Sequence, residues 1–313
     1  MTQYKIIVNP ISGRGTGKKS IPTIKSLLTE LNVSFELSET QRPMHAKELA
    51  EQAVQEGFDV VVAAGGDGTV NEVLNGLMHA KVKFNKSAAM GVLGVGRGND
   101  FAYGIQVPHD LNRDCHILAS DHRIAIDVGY VEGGNYPEGR YFGNGIGIGF
   151  DTVVGFEAAK LKYLSGFPSY AVAAIKTIFL YTKVPLIRLT TDDQTLTLPA
   201  LMVSVMNGQR MGGGFLMAPE GDPTDGLFNI CIAKQVSRSK ILGLIPHFIK
   251  GDQASHPAVI TLQTRTIQLE AIEGTLPAHA DGETLCEAGK MLKAELLPAQ
   301  LEIITEKFLN QDV

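Results

Sequence analysis

The sequence has few cysteines, no excess of basic charge and no long apolar run, and each deficit excludes a class of protein. Its 3 cysteines form an odd, widely spaced set that argues for a reducing compartment rather than a disulfide framework. The net charge of -5 is unlike that of a nucleic-acid binder, so no nucleic-acid partner is expected. No stretch of about 20 uncharged apolar residues could span a bilayer, and the first residues lack a signal-peptide core. We therefore expect a cytoplasmic protein.

Enough apolar material is present for a folded core, because 44% of the residues are hydrophobic and 19% are charged. A chain of 313 residues fits two domains better than one. The 8 histidines show no spacing typical of a metal site.

Four short apolar runs alternate with helical patterns over the first hundred residues. They read as strands and cover residues 4–8, 33–37, 58–64 and 89–95. Alternation of strand and helix predicts right-handed crossovers and a parallel sheet with helices on both faces. We assign residues 1–125 to this three-layer α/β domain.

Short β-type runs separated by turn signals follow from about residue 126 to residue 300 and predict a mainly antiparallel second domain, a sandwich or barrel. Helical patterns interrupt it at about 152–183, with a break at "SGFPS", and at 237–251. The apolar segment 170–183 carries Lys176 and Lys183. We interpret it as a core helix in preference to an interfacial helix that touches a membrane surface.

The segment "GGDGT" directly follows the third predicted strand. Thr69 and Glu72 fit a capping box, which predicts a helix N-terminus there. Such an N-terminus suits phosphate, and Gly65, Gly66 and Gly68 would let the backbone approach it. Asp67 would orient a bound ion or a phosphate-bound water.

Two further glycine-rich loops, "NPISGRGTGKKS" and "LGVGRGNDFA", follow the first and fourth strands. The first fits neither a Walker A loop nor a Rossmann fingerprint, because its glycines have the wrong spacing. Parallel strands bring all three loops to one edge of the sheet, where open α/β sheets bind ligands. A set of tight turns without a ligand is the alternative.

Two acidic turns occur in the second domain. Asp222 and Asp225 lie in "GDPTDG", and Asp281 and Glu283 lie in "ADGE". Each segment alone reads as a turn. If 281–283 is extended, its two carboxylates point to one face and could serve acid/base chemistry or hold a metal.

Taken in order, these motifs resemble the diacylglycerol kinase catalytic-domain family of lipid kinases, especially its soluble bacterial two-domain members. The resemblance extends nearly end to end and is carried by "NPISGRG", "GGDGTVNEV", "GRGNDFA", "GGGFLMAPEGDPTDGLFNI" and "HADGE". It implies ATP-dependent transfer of the γ-phosphoryl group to a lipid hydroxyl, with Mg²⁺, at a peripheral membrane contact. It also implies that residues from about 300 to 313 return to the first domain.

The resemblance further implies roles for individual residues. Glu283 is the first choice for the general base, with Asp281 as the alternative. The metal ligands would be Asp67 at the phosphates and, in a structural Mg²⁺ site, Asp222, Asp225 and the Leu227 carbonyl. The remaining implied residues bind nucleotide: Asn9, Ser12, Gly13, Arg14, Gly15, Thr40, His45, Gly65, Gly66, Asp67, Gly68, Thr69, Asn71, Glu72, Arg97, Asn99 and Asp100.

The sequence departs from the family pattern at Arg97, where similar kinases carry threonine. Arg97 could stack on adenine or bind a phosphate. Two alternatives remain: an NAD kinase, which shares "GGDGT", and a catalytically silent lipid- or nucleotide-binding regulator. The acceptor lipid is open, and an exposed strand edge could build a homodimer.

Overall fold

The computed structural model describes residues 2–161, 167–181 and 184–306. These residues divide into two compact units. The first runs to Asp127 and resumes at Pro298, and the second covers Val128–Leu297.

Strands and helices alternate in the first unit. Their bounds are β1 Gln3–Val8, α1 Ser12–Glu30, β2 Ser34–Glu39, α2 His45–Glu56, β3 Val60–Gly65, α3 Asp67–Phe84, β4 Ala89–Gly94, α4 Asp100–Gly104 and α5 Leu111–Ser120.

The four strands of this unit form a parallel sheet in the order β2-β1-β3-β4. Strand β3 is buried along its whole length, as expected for a central strand with helices on both faces. The side chains of Ile6, Val62, Ile24 and Leu28 belong to one core cluster. The predicted parallel α/β domain is therefore confirmed.

Residues 298–306 also belong to the first unit. Ile303 pairs with Met90 beside β4. Lys81 donates to the carbonyl of Gln300 at 2.7 Å, and the hydroxyl of Thr305 donates to the carbonyl of Ile105. These contacts link three separate segments of the first unit to residues 200 to 219 positions later in the sequence.

Strands dominate the second unit. Two strands include residues of both units: β5 Arg123–Gly133 and β17 Met291–Ile304. The other strands are β6 Tyr136–Phe142, β7 Gly145–Gly149, β8 Leu186–Thr191, β9 Thr195–Met206, β10 Arg210–Met211, β11 Phe215–Leu216, β12 Phe228–Lys234, β13 Val259–Thr264, β14 Thr266–Glu273, β15 Leu276–Ala280 and β16 Glu283–Gly289. The helices are α6 Phe150–Ala159, α7 Phe167–Leu180 and α8 Arg238–Lys250, with a 3-10 turn at Gln253–Ser255.

The second unit is an antiparallel β-sandwich with a helical layer. Strands β16-β15-β7-β9-β12-β13 pair in that order, and β9 continues into pairing with β8. One apolar cluster, with Phe142 and Phe228, fills the sandwich. A second cluster packs α6, α7 and α8 against the outer face of the sheet. This confirms the predicted fold of the second domain and its interrupted helix, although part of the interruption lies outside the described residues.

All three cysteines are buried and unpaired. Within the described residues, no helix is long and apolar enough to cross a membrane.

Candidate functional site

The glycine loops after β1, β3 and β4 contact one another at the carboxyl edge of the parallel sheet. A β-carbon on Gly96 would lie 2.3 Å from the Cα of Gly66, and one on Gly13 would lie 2.6 Å from the carbonyl oxygen of Val95. Contacts this short leave no space for a side chain, so the backbones themselves pack together. We call this surface the glycine edge; it consists of residues 9–17, 65–69 and 94–100.

Three consecutive left-handed residues shape the first loop. Gly13, Arg14 and Gly15 have φ angles of 58°, 59° and 93°. Helix α1 continues regularly from Thr16, inside the segment "NPISGRGTGKKS" that was expected to be a loop. The loop is therefore shorter than predicted. The N–H of Ser12 donates to the carbonyl of Asn9 and closes its first turn at 3.1 Å.

Asn9 connects the first loop to the second. Its Oδ1 accepts from the N–H of Ile11 at 3.2 Å, and its Nδ2 donates to the Thr69 hydroxyl at 3.0 Å. A β-carbon on Gly17 would lie 2.0 Å from the Asn9 carbonyl oxygen, which explains the glycine there. One amide side chain thus fixes the spacing of two loops.

Helix α3 begins at Asp67, after Gly66, without a side-chain cap from the described residues. The predicted capping box is therefore wrong. The Glu72 carboxylate instead accepts from the N–H groups of Met44 and Ala46, at 2.9 and 3.0 Å, where α2 begins. The first-turn N–H groups of α3, including that of Gly68, have no intrahelical acceptor and suit an anion such as phosphate.

Asp67 lies against the third loop. Its Oδ1 accepts from the N–H of Phe101 at 3.2 Å, and its Oδ2 would lie 2.8 Å from a β-carbon on Gly98. Asn99 adopts a left-handed φ of 52° and donates to the carbonyl of Gly94 at 3.3 Å. The third loop is thus fixed to both the second loop and its own strand.

The other residues implied for nucleotide binding surround this edge. Thr40 follows β2, and its N–H donates to the last residue of β1 at 2.9 Å. His45 begins α2, and its Nδ1 accepts from the N–H of Gln41 at 3.0 Å. Asn71 and Asp100 are buried, whereas Arg97 is exposed.

In the second unit, Asp281 and Glu283 do not lie on an extended segment. Asp281 and Gly282 have φ angles of 48° and 84° and form a two-residue turn between the paired residues Ala280 and Glu283. The expectation of two carboxylates on one strand face is therefore wrong. Positive φ at both turn residues is the geometry that a tight hairpin requires.

The Asp281 carboxylate is buried and serves the backbone. It accepts from the N–H groups of Gly143, Asn144 and Gly145 at 2.8 to 3.0 Å. Asn144 in turn donates to the carbonyl of Arg210 at 2.9 Å. Asp281 thus positions the loop before β7.

The environment of Glu283 differs from that of Asp281. Its side chain is half-buried at the start of β16 and makes no hydrogen bond within the described part of the chain. The two carboxylates implied by the resemblance therefore have different environments, although they are two residues apart.

The predicted Mg²⁺ site at residues 222–227 lies in a turn. Asp222 Oδ1 accepts from the N–H and the hydroxyl of Thr224, and Asp225 Oδ1 accepts from the N–H of Leu227 at 2.9 Å. The oxygen-only donor set fits a hard cation. Among the described residues, however, no group of three or more His, Cys, Asp or Glu side chains is arranged to hold a metal. The site stays a prediction.

Sequence reasoning missed a polar row beneath the helical layer. Strand register places Ser204, Gly147 and His279 side by side across β9, β7 and β15. A β-carbon on Gly147 would lie 2.3 Å from Asp151 Oδ2 and 2.4 Å from His279 Nε2, so both side chains occupy the space above this glycine. The alternating glycines of "GIGIGFD" were the available signal.

Several polar atoms on α6, on β9 and at the end of α7 are buried and lack a hydrogen-bond partner among the residues described. They are Asp151 Oδ2, Thr177 Oγ1, Tyr181 OH and Ser204 Oγ. Together with His279 they form what we call the polar cluster. Polar atoms left unsatisfied beneath a surface destabilise a protein and call for an explanation.

Burial controls the charge of this cluster. It raises the pKa of Asp151 to about 7 and lowers the pKa of His279 to about 4. Burial, with the nearby Asp151, also raises the pKa of Tyr181 to about 12. At neutral pH the cluster thus offers neutral hydroxyls and imidazole beside one carboxyl group that is half ionised.

A parallel-sheet unit with a phosphate-type glycine edge, followed by a β-sandwich, defines a class of two-domain kinases. Residues 3–131 match the family described as "Diacylglycerol kinase catalytic domain", and residues 144–305 match the "YegS C-terminal NAD kinase beta sandwich-like domain". The second match covers more than half of the chain, which therefore belongs to the family with this YegS-type C-terminal domain, and residues 3–131 form a domain that matches the diacylglycerol kinase catalytic domain.

Named relatives agree with this assignment. The chain is 26% identical to a diacylglycerol kinase of Staphylococcus carnosus (strain TM300), with 97% of this chain and 95% of the relative covered. Two solved structures share the fold. A diacylglycerol kinase from Bacillus anthracis str. Sterne has a TM-score of 0.74 at 20% identity, covering 98% and 97% of the two chains. Yeast NADH kinase complexed with NADH has a TM-score of 0.54 at 11% identity, covering 99% and 88%. The named relative from Staphylococcus carnosus supports a kinase, and the two structures support the fold.

Proposed function

We propose that the protein is an ATP-dependent lipid kinase that transfers the γ-phosphoryl group to the hydroxyl of diacylglycerol or a related lipid. The observation that carries this proposal is the contrast between the two units. One offers backbone N–H groups at the glycine edge, which suit phosphates, and the other offers hydrogen-bonding side chains beneath an apolar helical layer. A lipid acceptor needs both properties, since its hydroxyl is polar and its chains are not.

The glycine edge would hold the phosphates through the first turn of α3 and the loop at Gly13–Gly15. Asp67 is the carboxylate that would hold Mg²⁺ there, because Mg²⁺ binds one or two carboxylates together with phosphates. When bound, the ion neutralises charge on the phosphates. Phosphoryl transfer asks the protein mainly for such positioning and charge stabilisation.

Glu283 would act as the general base. It would accept the proton of the acceptor hydroxyl as the oxygen forms a bond to the γ-phosphorus and the bond to the β-phosphate oxygen breaks, releasing ADP. Asp281 would be a positioning residue, because its carboxylate already accepts three backbone hydrogen bonds. The polar cluster would bind the acceptor headgroup.

The test is transfer of labelled phosphate from ATP to a panel of lipids in mixed micelles, with NAD as a soluble acceptor. Glu283→Gln should lower turnover by about 10²–10⁴-fold without weakening nucleotide binding, since removing a general base costs that much. Label in one lipid that Glu283→Gln abolishes would support the proposal.

Two other outcomes would overturn it. Label in NAD would assign the chain to phosphorylation of a soluble dinucleotide, the class of acceptor in the name of the yeast protein, an NADH kinase. Binding of ATP without transfer to any acceptor would indicate a silent regulator.

A further inference from the structure

Helix α7 carries its large apolar side chains on its exposed face, which is unusual for a helix that contacts only water and the protein core. Its outward positions carry Val172, Ile175, Phe179 and Leu180, which are 45, 51, 65 and 52% exposed. Its buried positions carry mostly small or polar residues: Ser169, Ala173, Ala174, Thr177 and Ile178. In an ordinary surface helix the large apolar residues form the buried stripe.

The exposed residues recur at the helical period and so form one continuous stripe. Lys176 is the single charged residue among them. Four large, half-exposed apolar side chains on one helix face form the kind of patch that marks an interaction surface. The preference for a core helix at 170–183 therefore holds for one face alone.

The sequence around this helix is rich in basic residues. Between Glu157 and Asp192 the sequence contains five basic residues and no acidic one, although the whole chain has a net charge of -5. Lys160 and Lys176 both contact Glu157, at 2.5 and 2.6 Å. One carboxylate thus faces two ammonium groups, which leaves positive charge beside the apolar stripe.

We propose that α7 docks on the surface of an anionic lipid bilayer, with Val172, Ile175, Phe179 and Leu180 inserted at the boundary between headgroups and acyl chains. Apolar insertion combined with basic residues is how amphipathic helices bind anionic membranes. The excess of basic over acidic residues in this part of the sequence favours this occupant over a second copy of a chain that is itself acidic. The proposal rests on the proposed function for its purpose, which is to bring the kinase to a lipid acceptor.

The test uses the absence of tryptophan from the chain. Phe179→Trp places a single fluorophore on the stripe, and Val82→Trp, on α3 of the first unit, is the matched control because Val82 is 74% exposed. Each variant is mixed with phosphatidylcholine vesicles with or without phosphatidylglycerol, in the absence of nucleotide and diacylglycerol. We expect a blue shift and quenching by brominated lipid for Phe179→Trp alone, with phosphatidylglycerol present, and a loss of both at high salt.

A second variant measures how much the stripe contributes. Ile175→Gln/Phe179→Gln should lower vesicle binding at least about tenfold, because two large apolar side chains no longer enter the interface. Both side chains are more than half exposed, so folding should be retained, and circular dichroism checks this.

The proposal is overturned if Phe179→Trp shows no vesicle-dependent shift, if Val82→Trp responds equally, or if the shift depends on protein concentration without vesicles, as a dimer would produce. Vesicle docking with no phosphoryl transfer to any lipid would contradict the proposed function and leave the docking face intact. Phosphoryl transfer to a short-chain acceptor without vesicle docking would support the proposed function and contradict the docking face.

Discussion

The two units present polar groups to a ligand by opposite means. The glycine edge of the first unit is backbone, supplied by three loops that each follow directly on a strand. The polar cluster of the second unit is made of side chains that lie far apart in the sequence, from Asp151 to His279. A backbone site depends on side chains that are absent, whereas a side-chain site depends on strand register.

The largest effect should come from removing the carboxylate that organises the second unit. Asp281→Ala leaves the buried N–H groups of Gly143, Asn144 and Gly145 without an acceptor, so we expect a loss of about 3 kcal/mol or more in unfolding free energy. Urea denaturation checks this. Asp281→Asn should lose about half as much, because asparagine tolerates the left-handed backbone and keeps an acceptor oxygen. Equal stability of all three proteins would show that the turn alone positions the loop.

The next largest effect should come from adding a side chain at the glycine edge, where the loop backbones pack directly on one another. Gly96→Ala places a methyl group 2.3 Å from the Cα of Gly66. We expect nucleotide affinity to fall about ten- to hundredfold, since overpacking costs about 1–3 kcal/mol. Isothermal titration with ATP measures it. Gly243→Ala, in α8, is the control because a β-carbon there meets nothing within 4 Å.

A smaller and pH-dependent effect should appear at the polar cluster. The pKa of Asp151 is raised to about 7 in the folded protein, so its ionisation disfavours folding, and stability falls as pH rises from about 4 through 7. Asp151→Asn should remove this loss. We expect a gain of about 1–3 kcal/mol at pH 8 that vanishes near pH 4, together with weaker lipid turnover. Thermal melts across this pH range check the sign, and a gain that is largest at pH 4 would contradict it.

The smallest effect concerns Arg97, the departure from the family pattern. Because its side chain is exposed, stacking on adenine would contribute about 0.5–1 kcal/mol. Arg97→Thr should therefore weaken ATP binding no more than about fivefold, and comparison with GTP shows whether the arginine affects base preference. A larger loss would place Arg97 on the phosphates.

The same contrast explains what could be predicted from sequence. The parallel sheet and its three loops follow from local patterns, because strand ends and glycines are adjacent in the chain. The capping-box prediction was wrong because the Glu72 carboxylate accepts from a backbone N–H group at the start of α2, 26 residues earlier in the sequence. The extended reading of 281–283 failed because two residues of positive φ turned the chain.

The polar cluster could not be predicted from the sequence. Alternation of apolar and polar residues shows which side chains share a face of a strand, but it does not show which strands pair with one another. Ser204, Gly147 and His279 come together only once β7 lies between β9 and β15. The exposed apolar face of α7 was not predicted for a related reason. Its residues fit the pattern of a core helix, and only the structure shows which face is covered.

The position of residues 298–306 bears on how the protein is made. On the ribosome, an amino-terminal domain can ordinarily fold while the rest of the chain is still being translated. Here the first unit lacks the partner of Met90 and the acceptor of Lys81 until residues 300–303 have been synthesised. The nascent α/β sheet must therefore wait, incomplete, while the whole second unit is synthesised. A stop codon introduced before residue 300 would therefore damage a domain whose other residues were translated first.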